Sequence, residues 1–70
     1  MKIKYDRTSD IIYFEFSDTT VTTKRVTGDI AIDYDADGHV AGVEVLDAKK
    51  NVFGKTKDFS VQIEGLLQQA

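Results

Sequence analysis

The sequence predicts an α+β domain, an antiparallel sheet of four to five strands in a hairpin meander with a C-terminal amphipathic helix. Three observations predict it. Apolar residues alternate with polar ones at period two through most of residues 2–46. Clusters of Asp, Ser, Thr and Gly interrupt the alternation at turn spacing. Beyond a lysine-rich stretch at 47–57 the apolar spacing changes to that of a helix, over about 58–69. The whole chain of 70 residues reads as one domain.

Lys2 to Asp6 alternates with Ile3 and Tyr5 on one face, and Arg7-Thr8-Ser9-Asp10 reads as the turn that follows. Ile11 to Phe16 is the most apolar run, with Ile12, Phe14 and Phe16 on one side, and it is expected near the middle of the sheet. Ser17 to Thr20 breaks the pattern. Val21 to Val26 resumes it weakly, and its Lys24 and Arg25 suit an edge, where charge discourages foreign pairing. Thr27-Gly28 turns the chain into Asp29 to Tyr34, which sets Ile30, Ile32 and Tyr34 toward the core.

Asp33 to Glu44 fits two templates. Acids at 33, 35 and 37, Gly38 at the sixth position and Glu44 at the twelfth match a calcium-binding loop between helices. The flanks, rich in β-branched residues at period two, favour a hairpin. With strands on both sides Glu44 lies about 20 Å along the chain from Gly38, too far to complete a coordination shell. If Asp37-Gly38 are the centre of a type I′ turn, Ala36 faces His39, Tyr34 faces Ala41, Ile32 faces Val43 and Ile30 faces Val45. This register keeps apolar partners together and leaves Asp29, Ala31, Asp33, Gly42 and Glu44 on a reverse face expected to be wet.

From Asp58, a plausible N-cap, the residues Phe59, Ile63, Leu66, Leu67 and Ala70 form a helical stripe. A strand with Phe59, Val61 and Ile63 on one side competes with it. The helix is preferred because the stripe outruns an ordinary strand, although Gly65 weakens it by about 1 kcal/mol.

Hydrophobic content of 41% with 30% charged residues is that of a folding chain and not a disordered one. The absence of cysteine removes disulfides and thiolate metal sites, and with no apolar span or signal-like opening it points to the cytosol. A net charge of −3 argues against general affinity for nucleic acid. The charge is unevenly spread: six acids and no Lys or Arg between Asp29 and Asp47, then four lysines and no acid between Ala48 and Lys57. Such polarity can steer a partner or a second copy.

The opening Met1-Lys2-Ile3-Lys4-Tyr5-Asp6, the run Asp10 to Ser17 and the block Ile32 to Ala48, with its Asp35-Ala36-Asp37-Gly38-His39-Val40-Ala41-Gly42-Val43-Glu44-Val45-Leu46-Asp47-Ala48, resemble the DUF2283 (YuzE-like) family of small bacterial and archaeal proteins. The likeness extends from Met1 to about Lys50. The family often has Pro or Glu where this chain has Arg7 and Thr8, and Ala and Leu where it has Ile11 and Ile12; the tail after Lys50 carries no family landmark. The resemblance implies a compact antiparallel sheet with an added helix and no established enzymatic role, catalytic residue or ligand residue. It also implies an association with small toxin-like proteins, hence an antitoxin-like partner role.

Candidate chemistry is sparse. His39 is the only histidine and flanks an exposed turn, so Asp33, Asp35, Asp37 and His39 offer at most a weak divalent-cation site or the core of a minimal metal-assisted hydrolase. Lys49 to Lys57 interleaves lysine with Phe53 in the manner of a single-stranded nucleic-acid contact. Gly54-Lys55-Thr56 lacks the glycine that a phosphate loop needs five residues before Gly54, where Lys49 stands. The expectation is therefore a noncatalytic interaction module without cofactor or metal, self-associating or bound to one small protein partner, with no membrane contact.

Overall fold

The computed structural model describes residues 1–55 and 59–65. Five strands form one antiparallel sheet: β1 (Lys2–Asp6), β2 (Ile11–Glu15), β3 (Thr22–Arg25), β4 (Ile30–Tyr34) and β5 (Val40–Val45). Their spatial order is β1-β2-β5-β4-β3. The sheet is thus not the simple meander that the sequence suggests. β2 keeps β1 on one side and takes β5 in place of β3 on the other, setting Ile12 against Val45 and Phe14 against Val43. That pairing joins the two most apolar strands inside the sheet and sends β3, exposed at every residue, to the edge. Residues 16–21 must then cross β5 and β4, about 14 Å at ~4.8 Å per strand, which a short extended segment can span.

Cross-strand partners share a face, so the register assigns both faces. Ile3, Tyr5, Ile12, Phe14, Ile30, Ile32, Val43 and Val45 lie on the apolar side. Lys4, Tyr13, Glu15, Thr23, Arg25, Ala31, Asp33, Gly42 and Glu44 lie on the other.

The β4–β5 hairpin keeps two of the four expected pairs, Ile32 with Val43 and Ile30 with Val45. Its tip differs. The N–H of Gly38 donates to the Asp35 carbonyl at 3.0 Å and that of Asp35 to His39 at 2.9 Å, so Ala36 and Asp37 are the central residues and Gly38 follows with φ +84°. This is a three-residue loop whose glycine takes the left-handed position, not a two-residue turn. Tyr34 consequently meets Val40 instead of Ala41, and a bulge restores the register at Asp33 opposite Gly42. The carbonyl of the bulged Ala41 accepts from the N–H groups of Phe16 and Ser17, and Ala41 is fully buried.

After β5 the chain folds back. Ala48, also fully buried, donates its N–H to the Asp10 carbonyl, and Lys49–Phe53 forms a single π-helical turn. The Phe53 ring meets Tyr5 edge to face at 5.0 Å, beside Ile12, which is 1% exposed. The C-terminal helix expected over 58–69 is absent from its described part: Phe59 to Gly65 is irregular, and Gly65 has φ +76°. Asp58 and residues 66–70 lie outside the described residues. Among the described residues the domain is therefore an antiparallel sheet with one helical turn.

Candidate functional site

The polar face is built from long side chains crossing small ones. In one row across the sheet Arg25, Ala31, Glu44, Tyr13 and Lys4 stand side by side, and in the next Thr23, Asp33, Gly42, Glu15 and Lys2. Arg25 passes Ala31 to reach Glu44 at 3.3 Å. Tyr13 runs diagonally across Gly42, and its hydroxyl donates to Asp33 Oδ2 at 2.5 Å while Thr23 donates to Asp33 Oδ1. Lys4 pairs with Glu15 at 3.0 Å, with its ammonium 5.4 Å from the centre of the Tyr13 ring.

Ala31, 2% exposed, and Gly42 are buried beneath this layer, so the reverse face is not the open wet surface the sequence suggests. A Cβ on Gly42 would come within 2.6 Å of Tyr13 Cζ and 3.0 Å of the Phe14 carbonyl oxygen. The glycine is there for space. Its backbone needs no special conformation.

The bond to Asp33, with burial second, pushes the Tyr13 phenol up to about 12. The folded chain therefore holds this proton more tightly than the unfolded chain, in which tyrosine titrates near pH ~10. The stability that results is fully present below that value and is lost as pH rises toward 12. Following phenolate absorbance together with denaturant midpoints should show both events in that window, and Tyr13→Phe should flatten the stability profile there.

The loop acids separate into different roles. Asp33 belongs to the polar face, and Glu44 is held by Arg25. Asp35, Asp37 and His39 come together, each placing one potential ligand atom within 4.8 Å of the others. Asp35 Oδ1 already accepts the N–H groups of Asp37 and His39, each at 2.9 Å, and the His39 contact leads in holding its carboxyl below the usual range. His39 Nδ1 stands 3.7 Å from Asp35 Oδ2 on a largely exposed ring. The four expected ligands are thus reduced to three. The pattern that suggested a cation loop largely serves to build the turn.

The lysine-rich segment is also partly committed. Phe53 makes edge-to-face contacts with both Tyr5 and Phe59, at 5.0 and 4.8 Å, which tie its ring into the fold. Lys49 donates its backbone N–H to Asp10 Oδ1 at 3.1 Å, and Asn51 Nδ2 donates to Asp29 Oδ2 and to the Leu46 carbonyl. Asp10 is the residue that sequence reasoning missed. It has φ +57°, accepts the Tyr5 hydroxyl at 2.7 Å, and caps the helical turn from 39 residues away. A capping partner so distant leaves no local signal.

On the apolar face Ile3, Phe14, Val43 and Ile32 form a row in which every side chain is only half-buried. Phe16 and Val40, at the strand ends, are 46% and 43% exposed. No helix of the described residues is long and apolar enough to cross a membrane.

These features define a small antiparallel sheet domain with a tightly knit polar face and a partly uncovered apolar one. The chain belongs to the family described as protein of unknown function (DUF2283), whose sequence pattern matches residues 2–49. The match spans all five strands and ends at the residue Asp10 caps. Comparisons with curated proteins and with solved structures give no match.

Proposed function

We propose that this chain is a noncatalytic protein-interaction module that covers the open part of its apolar sheet face with another protein surface. The observation that carries this reading is the half-buried row Ile3, Phe14, Val43 and Ile32. A single-layer sheet gains stability by burying that face, and a contiguous apolar patch on a small domain marks a contact site. The polar face, with its side chains already paired to one another, offers less to a partner. In its finest form the partner is a small toxin-like protein that this chain neutralises, the role implied by the family resemblance. Affinity capture from the native cell, followed by reconstitution with the purified partner, tests the reading. Chemical-shift changes are expected at Ile3, Phe14, Ile32 and Val43. A chain that sediments as a monomer at every concentration and draws down no protein overturns it.

A second reading, divalent-cation binding, is favoured by the clustering of Asp35, Asp37 and His39. Three side-chain ligands with the remaining positions left to water give weak affinity. Titration with calcium, magnesium, manganese and zinc is expected to move amide signals of residues 35–39 in fast exchange only. Stoichiometric, slow-exchange binding would promote this reading over the first.

A further inference from the structure

We propose that Phe59–Glu64 is a donor strand, and that it pairs with the β1 edge of a second copy of this chain. The inference rests on the interaction reading and adds to it the β1 edge as a further surface, with a second copy as its partner. Phe59, Val61 and Ile63 alternate with Ser60, Gln62 and Glu64, the period of a strand with one apolar side. The three apolar side chains are 47%, 51% and 59% exposed, and the backbone of residues 59–65 makes no hydrogen bond to another described residue. An apolar, strand-patterned segment without a ladder is the donor in recognition by strand addition.

The sheet has two open edges, β1 and β3, and only one suits this donor. On the apolar side β3 presents Thr22 and Lys24, whereas β1 presents Ile3 and Tyr5. Antiparallel pairing with Val61 opposite Tyr5 and Ile63 opposite Ile3 places Gln62 against Lys4 and Glu64 against Lys2. Apolar side meets apolar side, and an acid meets a base. A parallel arrangement that also matches the faces, Val61 opposite Ile3 and Ile63 opposite Tyr5, sets Glu64 against Asp6. Direct pairing of two β1 strands about their centre opposes Lys4 to Lys4. Of these three arrangements, the antiparallel donor register is the one that avoids like charges and sets Glu64 against a lysine.

Within one chain the donor is held off its own edge. Phe53 contacts Tyr5 on one side and Phe59 on the other, so its ring stands between the start of the segment and β1. A segment from a second copy is not tethered to that ring through its own Phe59, and it meets the edge from Ile3 and Lys2. Reciprocal donation around a two-fold axis closes the assembly at a dimer and covers both β1 edges.

Sedimentation equilibrium of the full chain, with isotope-filtered contacts measured on a mixture of labelled and unlabelled protein, tests the proposal. A dimer is expected, with intermolecular contacts from Val61 to Tyr5 and from Ile63 to Ile3. Val61→Pro removes a ladder donor outside the sheet and should weaken the dimer by at least roughly tenfold. Lys2→Glu and Glu64→Lys should each weaken it, and the double reversal should restore it. A monomer at all concentrations, contacts found only within one chain, or a dimer indifferent to Val61→Pro would each overturn the proposal. If partner capture persists in a monomer, the donor strand fails while the interaction reading stands; if both are lost, both fail.

Discussion

Replacing Gly42 with alanine is expected to destabilise the domain by about 3 kcal/mol, combining overpacking with loss of a hydrogen bond to a charged group. The new methyl group occupies the space of the Tyr13 ring, which must swing away and release Asp33. For a chain of 70 residues with a total stability of roughly 3.5–10 kcal/mol, that is a large fraction. Urea denaturation measures the loss. The decisive comparison is made in a Tyr13→Ala background. There only the 3.0 Å approach to the Phe14 carbonyl oxygen remains, and Gly42→Ala should cost much less, since alanine also loses less backbone entropy than glycine. An undiminished cost in that background would show that the obstruction lies in the backbone at Phe14.

Asp10→Ala is expected to cost about 2–3 kcal/mol, from the lost cap and from an alanine held in the left-handed region. The carboxylate joins the first hairpin to the helical turn after the last strand through Tyr5 and Lys49. Two substitutions divide the effect. Asp10→Gly removes the backbone strain but not the missing acceptor, and Asp10→Asn keeps both an acceptor and tolerance of positive φ. The expected order of stability is wild type, Asn, Gly, Ala. Faster amide exchange at Ala48 and Lys49 should accompany the losses. Equal stability of all three variants would remove Asp10 from this role.

Four strands were legible because each carries a two-residue alternation strong enough to fix its faces, and β3, where the alternation is weak, declared itself an edge through Lys24 and Arg25. The hairpin register was legible at Ile30 and Ile32, where a slip would bury Glu44. It was not legible at the tip. Ala41 and Gly42 are small enough to sit on either face, so nothing in their side chains shows that the tip loop is one residue longer and that a bulge absorbs the difference. Strand order was hidden for another reason: alternation says which face is apolar and nothing about which neighbour it joins. The C-terminal stripe misled because residues spaced by four satisfy both periods. Phe59 and Ile63 belong to the helical and the extended pattern alike, Val61 fits only the second, and from Phe59 to Gly65 the chain forms neither element. Of the four candidate cation ligands, Asp35, Asp37 and His39 lie near one another, and Asp33 is drawn away by a bond to Tyr13 that depends on a strand pairing invisible in the sequence.

The strand order also fixes a sequence of events during biosynthesis. β1 with β2 and β3 with β4 are pairs that can zip as soon as each is made, yet neither touches the other until β5 enters between them. The fifth strand is the keystone. Until Val45 emerges the nascent chain carries two separate ribbons with exposed inner borders, the kind of intermediate on which chaperones act.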